Sequence, residues 1–118
     1  MRENIDLHRG IIKVPGYPDA PIDWDESEAW RLARDERMEL SADHLEVIRA
    51  LQAYYAHNQD GSPNVRELHD ALDERFHQKG GIRYLYTLFP GGPVAQGCLL
   101  AGLPIPAGAR NASFGSVQ

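Results

Sequence analysis

The only cysteine of this 118-residue chain, Cys98, is the residue whose type best suits covalent chemistry. Its thiol could hold sulfur as a persulfide or a mixed disulfide, but such reactivity needs a pKa lowered by cations or by a helix N-terminus. Cys98 lies beyond the first turn of a helix predicted to start at Pro93, where the effect of the helix dipole has faded. Its neighbours Gly97, Leu99 and Leu100 carry no charge. A buried structural cysteine is therefore the competing interpretation.

The other ionisable residues follow no catalytic or metal-binding pattern. The histidines lack the spacing of zinc ligands, and two of them, His44 and His69, fall on apolar helix faces where a hydrogen-bonded core histidine is expected. The acidic pair Asp23 and Asp25 lies at a predicted helix end, where a solvated role is expected. Gly91-Gly92-Pro93 is not followed by Lys and Ser or Thr in the order of a phosphate-binding loop. We predict neither a metal site nor a cofactor.

Composition limits the class of protein. A chain of 118 residues is enough for one small domain, and 42% apolar with 25% charged residues is typical of a globular protein. No apolar run is long enough to span a bilayer, and a lone cysteine fits a reducing compartment, so we expect a cytoplasmic protein without membrane contact. The net charge of −5 argues against nucleic acid as the main partner.

Hydrophobic spacing predicts short helices after an irregular start. Residues 1–23 are expected to form a short N-terminal β-hairpin followed by a strap rich in proline. A first helix, capped by Asp25 or Ser27, should run to about Arg37. Its predicted inner face comprises Ala29, Trp30 and Ala33.

The middle of the chain predicts a helix-turn-helix-like core. Ser41 is expected to cap a helix whose apolar face extends to Tyr55, and Ser62 to cap the next helix with Pro63 in its first position. Two further helices should follow, separated by a turn at residues 90–92. As packing geometry this core is credible, but its helices carry nearly as many acids as bases, so DNA binding is weakly supported.

Together these elements predict a mainly α fold in one small domain. The domain should comprise residues 1–106, and a flexible C-terminal arm or tail should comprise residues 107–118, which are rich in Gly, Ala and Ser and show no apolar stripe. Short helices joined by tight turns should cross at steep angles and not form an up-down bundle.

Two adjacent motifs resemble those of a known family. Residues 83–93 read RYLYTLFPGGP, and residues 101–106 read AGLPIP. The form RYLY-x-LFP-x-GP followed by AGLP-x-P is similar to the DsrC/TusE family of sulfur-relay proteins, and the similarity extends from about Trp24 to Gly108. The resemblance implies a small, mostly helical fold with an N-terminal hairpin and a flexible C-terminal arm.

The resemblance also implies a function. TusE-like members accept persulfide sulfur and pass it on for tRNA 2-thiouridine synthesis, and DsrC-like members act with dissimilatory sulfite reductase. The main sulfur-carrying cysteine of the family lies on the arm and would fall at Ala109, so this chain lacks it, whereas Cys98 matches a helix cysteine of DsrC-like members. The residues expected to contact partners are Arg66, Arg83, Gly102, Leu103, Pro104 and Pro106.

We therefore predict a divergent sulfur-relay accessory protein that can hold persulfide on Cys98 and binds TusBCD-like or sulfite-reductase-like complexes. It would act as a sulfur carrier, similar to a sulfurtransferase, and would not be a stand-alone catalyst. The alternative is a regulatory or interaction protein without sulfur transfer, which binds a sulfur enzyme or binds DNA through the helix-turn-helix-like core.

Overall fold

The computed structural model of the chain describes residues 14–58 and 63–109, together with the backbone of residues 5–6 and 11–12. In these ranges the fold is mainly α, as the sequence predicts. The strands β1 and β2 comprise Ile5–Asp6 and Ile11–Ile12, and the helices α1 to α5 comprise Glu26–Asp35, Ala42–His57, Val65–Arg75, Gly81–Leu88 and Pro93–Ala101. Short 3-10 helical turns lie at His77–Lys79 and Ala107–Ala109.

The N-terminal part of the chain packs onto the helices through two aromatic rings. β1 pairs antiparallel with β2, with Ile5 opposite Ile12, but the connecting residues of the predicted hairpin lie outside the described part of the chain. In the Pro-rich segment that follows, residues 14–25, the rings of Tyr17 and Trp24 meet edge to face with their centroids 5.0 Å apart. Both rings are buried, so this segment belongs to the core.

Helix α1 begins at an aspartate cap and buries a small-residue face. The carboxylate of Asp25 accepts a hydrogen bond at 3.0 Å from a backbone N–H in the first turn. Ala29 and Ala33 are buried, and their small side chains allow α5 to lie close. The prediction that Trp30 faces the core is wrong, because this residue is 44% exposed. Its indole N–H donates to Oε2 of Glu26 at 3.0 Å, which holds the ring along the outside of the helix.

Helix α2 begins with a capping box formed by Ser41 and His44. The Ser41 hydroxyl accepts from the backbone N–H of His44 at 3.4 Å, and Nδ1 of His44 accepts from the backbone N–H of Ser41 at 3.0 Å. The other ring nitrogen, Nε2, donates to the carbonyl oxygen of Leu88 at 2.8 Å, which joins the start of α2 to the end of α4. His44 is thus a buried, hydrogen-bonded core histidine, as the sequence predicts.

Helix α3 begins later than predicted. The N-cap is Asn64, whose side-chain oxygen accepts from the backbone N–H of Glu67 at 2.8 Å, so the helix starts at Val65. Pro63 precedes the helix, and the predicted cap, Ser62, lies outside the described residues. An asparagine directly before a helical run caps it well, because its short side chain reaches the N–H of the third helical residue.

Helix α5 is the centre of the domain. It packs against α1, α2, α3 and α4, and all of its residues except Leu99 are buried. Around it, α3 and α4 are joined by a tight turn in which the carboxylate of Asp73 accepts from the backbone N–H of Ile82 at 2.7 Å. Because four helices surround α5, its inner side chains can reach solvent only when a neighbouring element moves.

A surface cluster ties the start of α2 to the segment that opens α4. Oδ1 of Asp43 accepts from Nζ of Lys79 at 2.8 Å, and Oδ2 accepts from the hydroxyl of Tyr84. The hydrogen bond from Lys79, followed by that from Tyr84, lowers the pKa of the Asp43 carboxyl below its ordinary value.

Replacing Asp43 by asparagine should therefore make stability less sensitive to acid. A carboxyl whose pKa is lowered on folding stabilises the fold above its ordinary pKa, and this contribution is lost as pH falls through the folded-state pKa. The difference in free energy of unfolding between wild type and Asp43→Asn should be present at neutral pH and shrink below about pH 4, as measured by urea titrations. Asp70→Asn, on the exposed side of α3, is the matched control. A wild-type advantage that stays constant with pH would contradict the prediction.

Candidate functional site

Cys98 is buried in the interface between α5 and α2. Its exposed fraction is 0%, and it is the sixth residue of α5, beyond the first turn. The thiol donates a long hydrogen bond of 3.7 Å to the hydroxyl oxygen of Tyr55 on α2. In this conformation the surroundings are those of a structural cysteine, and no described cation contacts the sulfur.

The electrostatics of this position keep the thiol protonated. Burial raises the pKa of Cys98 from 9.0 to about 11, and the hydroxyl of Tyr55, which can hydrogen-bond to a thiolate, lowers it only in part. At neutral pH the Cys98 thiol is therefore protonated. Because the thiolate is the nucleophile, the described conformation protects the sulfur from reaction.

Tyr55 connects the thiol to the chain that follows α5. Its hydroxyl donates to the carbonyl oxygen of Pro104 at 2.6 Å. Burial raises the pKa of the Tyr55 phenol, and the neighbouring Cys98 raises it further, so the hydroxyl remains a proton donor. The spacing of apolar residues predicted only that Tyr55 lies on an apolar helix face. The signal that could have found its role is that a tyrosine on such a face needs a partner for its hydroxyl.

Residues 102–109, here named the C-terminal strap, leave α5 through a left-handed glycine. Gly102 has φ +77, and the backbone N–H of Leu103 donates to the carbonyl oxygen of Cys98 at 2.9 Å, in the pattern of a Schellman motif. Pro104 is exposed and Pro106 is buried. The structure thus brings four predicted partner-contact residues to the end of the helix that carries Cys98.

The strap continues to the last described residue, Ala109. Ala107–Ala109 forms a 3-10 turn, and a Cβ added to Gly108 would lie 2.8 Å from Cγ1 of Val65 on α3. Ala109 is the position at which the arm cysteine was expected, and the domain boundary predicted after residue 106 stays a prediction. Residues 110–118 lie outside the described part of the chain, so the predicted flexibility of the tail stays a prediction there.

Comparison with known protein families identifies the family of this chain. A family model described as "DsrC like protein" matches residues 11–109. This chain belongs to the DsrC-like family. The family predicted from the two sequence motifs is confirmed.

Named relatives of the DsrC-like chain agree with the family. This chain is 42% identical to "Sulfurtransferase TusE" of Salmonella typhimurium over 92 residues, which cover 77% of this chain and 84% of that protein. The identity to "Sulfurtransferase TusE" of Photorhabdus laumondii is 41% over 92 residues, covering 77% and 82%. The NMR structure of Allochromatium vinosum DsrC is similar with a TM-score of 0.62 and 40% identity, covering 72% of this chain and 76% of that one.

These findings decide between the predicted classes of function. Two of these relatives are named sulfurtransferases, so a function of the sulfur-relay type in sulfur metabolism is supported for this chain, and none of the findings favours a regulatory or DNA-binding role. The similarity to a solved DsrC structure also confirms the predicted small, mainly helical fold.

The two arginines predicted to contact partners lie apart from the thiol of the DsrC-like chain. Arg66 is exposed on α3 and Arg83 is exposed on α4. Within the described ranges, 14–58 and 63–109, no ion pair or hydrogen bond joins either side chain to another residue. The structure therefore presents two free cationic groups on the outside of the helix-turn-helix-like core, separate from the buried Cys98.

Two further observations concern ligands and membranes. Among the residues whose placement the structure describes, no group of three or more His, Cys, Asp and Glu side chains comes together in a way that could hold a metal ion. No helix in that same part of the chain is long and apolar enough to cross a membrane.

Proposed function

We propose that this DsrC-like chain is a sulfur-relay accessory protein that receives and releases sulfur as a persulfide on Cys98 while bound to its partners. Family membership and relatives named as sulfurtransferases support the class of function. Cys98 is the only thiol of the chain, so any sulfur carried covalently on cysteine must be carried there. A single thiol also fits a reducing compartment, and we place the protein in the cytoplasm.

The transfer needs no external oxidant. The thiolate of Cys98 attacks the outer sulfur of a donor persulfide, R–S–SH, so that a new S–S bond forms to Cys98 as the S–S bond of the donor breaks. The donor leaves as a thiolate and takes up a proton. In the reverse sense, an acceptor thiolate attacks the outer sulfur on Cys98 and the Cys98 thiol is restored.

The observation that carries this proposal is the single hydroxyl that lies between the thiol and the strap. Tyr55 contacts Sγ of Cys98 at 3.7 Å and holds the carbonyl of Pro104 at 2.6 Å. Displacement of the strap would remove the hydrogen-bond acceptor of Tyr55 and free its side chain to turn away from Cys98. The thiol would then meet water, and its pKa would fall from about 11 towards that of an exposed cysteine.

The interface between α2 and α5, beside the strap, contains a buried polar atom without a hydrogen-bond partner among the described residues. One turn before Tyr55, the side chain of Gln52 is buried, and its Nε2 donates to the carbonyl oxygen of Ala101 at 3.0 Å. Its Oε1 is buried without a hydrogen-bond partner among the described residues. An unsatisfied buried acceptor destabilises the closed state relative to an opened one in which water can reach it.

Protein partners would open the strap. We propose sulfur-transfer complexes of the TusBCD-like or sulfite-reductase-like kind, which would contact Gly102, Leu103, Pro104 and Pro106 on the strap. The exposed guanidinium groups of Arg66 and Arg83 would meet acidic residues of the same partners. The chain as a whole has a net charge of −5, so anionic surfaces do not attract it in general. Contacts of Arg66 and Arg83 with acidic residues of a partner would therefore be specific.

The proposal predicts that Cys98 reacts slowly in the native protein and faster when Tyr55 becomes phenylalanine. Loss of one hydrogen bond of about 1 kcal/mol should raise the opened population, and with it the rate of alkylation by iodoacetamide, about fivefold. Tyr54→Phe is the matched control, since it removes the neighbouring hydroxyl, which has no hydrogen bond to a described residue. Equal rates in the two variants would contradict the role of Tyr55.

Persulfide transfer is tested by intact mass. The full chain is incubated with a small-molecule persulfide, with Cys98→Ser in parallel. The expected result is one added sulfur atom in the wild type, removed by reductant and absent from Cys98→Ser, with faster loading in Tyr55→Phe. If neither the wild type nor Tyr55→Phe gains mass under conditions in which iodoacetamide alkylates the reduced Cys98, the carrier role is refuted and the chain acts in the relay by binding alone.

A further inference from the structure

The turn before α1 and the first half of that helix, residues 19–30, expose two large hydrophobic side chains; we name this segment the α1 entry surface. The backbone N–H of Trp24 donates to the carbonyl oxygen of Pro21 at 3.3 Å, which closes a turn with Ile22 and Asp23 at its tip. Asp23 has φ +70, a left-handed conformation that aspartate adopts more readily than most residues. Ile22 is 69% exposed and Trp30 is 44% exposed, so two of the three exposed large hydrophobic residues in the described part of the chain lie here.

The same segment is strongly acidic. Residues 14–30 contain no Lys or Arg and five acids, which are Asp19, Asp23, Asp25, Glu26 and Glu28. The next residue, Arg31, is already paired with Glu28 at 2.6 Å. Nucleic acid or an anionic membrane would be repelled by this charge, which therefore favours a cationic partner.

The Trp30 ring is held in one orientation before any partner binds. Oε2 of Glu26 accepts from the indole N–H of Trp30 at 3.0 Å, and Oε1 of the same carboxylate accepts from the hydroxyl of Tyr17 at 2.9 Å. The hydrogen bond from Trp30, followed by that from Tyr17, lowers the pKa of the Glu26 carboxyl, which stays ionised at neutral pH. A side chain that is already fixed loses little conformational entropy when a partner packs on it.

The neighbouring ring of Tyr17 shows which group such an arrangement accepts. The guanidinium carbon of Arg49 lies 4.7 Å from the centroid of the Tyr17 ring, whose hydroxyl donates to Glu26. Within residues 14–58 and 63–109, no cation lies over the ring of Trp30 in this way. Tryptophan attracts a cation to its face more strongly than tyrosine does. The Trp30 ring and the carboxylate that holds it thus fit an Arg or Lys side chain of another protein.

We propose that the α1 entry surface binds a basic segment of a partner protein, with an Arg or Lys side chain on the Trp30 ring and an apolar side chain against Ile22. The surrounding carboxylates attract the segment, and the two hydrophobic side chains fix its position. The site uses none of the residues assigned to the C-terminal strap, and it uses neither Arg66 nor Arg83. The inference does not depend on sulfur chemistry at Cys98.

Titration of the full chain with a random copolymer of lysine and tyrosine tests the proposal at low ionic strength. The copolymer presents cationic and apolar side chains in many local orders, and polylysine is the comparison. Heteronuclear NMR follows the two indole N–H signals. We expect the signal of Trp30 to shift while that of the buried Trp24 stays in place. Calorimetry should show tighter binding of the copolymer than of polylysine.

Neutral substitutions separate this site from general attraction between a polycation and a chain of net charge −5. Trp30→Ala and Ile22→Ser leave the net charge unchanged, and each should weaken binding of the copolymer, Trp30→Ala by about tenfold. Tyr86→Ala is the matched control and should leave the affinity unchanged. Tyr86 is 46% exposed, but it lies within residues 75–118, which contain no acid.

A pair of charge variants tests the role of the carboxylates. Asp23→Asn and Asp70→Asn remove the same charge, the first from the α1 entry surface and the second from the exposed side of α3. Asp23→Asn should weaken binding of the copolymer about twofold to threefold more than Asp70→Asn does.

Each outcome of these titrations decides the question. No binding of the copolymer at low ionic strength would overturn the proposal. Equal affinities in all variants would also overturn it, because the attraction would then be a general one between opposite charges. A Trp30 signal that changes on dilution without the copolymer would mean that a second copy of the chain occupies the surface, against the proposal. Weaker binding in Trp30→Ala and Ile22→Ser, together with unchanged binding in Tyr86→Ala, supports it.

Discussion

Replacing Trp24 by alanine is expected to lower the free energy of unfolding by about 3–5 kcal/mol. The indole is only 5% exposed, its ring lies edge to face on Tyr17, and its N–H donates to the carbonyl oxygen of Leu100 at 2.8 Å. Truncation would leave a large cavity and deprive a buried carbonyl of its donor. Urea unfolding followed by circular dichroism measures the change.

The chain supplies its own control for this experiment. Trp30 is 44% exposed on the outer side of α1, and its indole makes a hydrogen bond to Glu26 on the same helix. Trp30→Ala removes the same side chain from a surface position and should change the free energy of unfolding by no more than about 1 kcal/mol. Similar losses in the two variants would contradict the assignment of Trp24 to the core.

The elements that the sequence predicted correctly are those with local signals. Ser41 caps α2 because a serine precedes an apolar stripe, and Pro93 opens α5 because a proline suits the first turn of a helix. The motifs at residues 83–93 and 101–106 sufficed for the family, which the comparison with the family model confirms.

The errors arose where several local solutions compete. Trp30 has the spacing of an inner-face residue, but Ala29 and Ala33 fill that face and Glu26 offers the indole a partner outside it. At the start of α3, both a serine and an asparagine could cap, and the residue nearest to the helix, Asn64, does so.

The surroundings of Cys98 could not be predicted from the residues near it in sequence. Its contact with Tyr55 joins residues 43 positions apart, and the contact of Tyr55 with Pro104 joins residues 49 positions apart. Both depend on how α5 lies against α2. The raised pKa of the thiol follows from that packing, so a spacing argument could leave the two interpretations of Cys98 open but could not choose between them.

Replacing Gly102 by alanine should have the second large effect, because two penalties combine at this residue. Its φ of +77 lies in the left-handed region, and a Cβ would lie 2.7 Å from Cδ1 of Trp24. Left-handed strain and overpacking against a buried ring should together lower the free energy of unfolding by about 2–4 kcal/mol. The same substitution should disturb the hydrogen bond from Leu103 to the carbonyl of Cys98, and alkylation of Cys98 should then become faster.

Gly16→Ala separates the two penalties. Gly16 also has a left-handed φ, +84, but a Cβ there would meet nothing within 4 Å, so only the backbone strain of about 1–2 kcal/mol is expected. The excess loss in Gly102→Ala then measures the contact between the start of the strap and Trp24. Suppose that both variants lose the same free energy of unfolding and that Cys98 is alkylated at the same rate in both. The Trp24 ring would then move aside at no cost, and Gly102 would not fix the start of the strap. A larger loss together with faster alkylation would show that the anchor of the strap and the protection of the thiol are one structural feature.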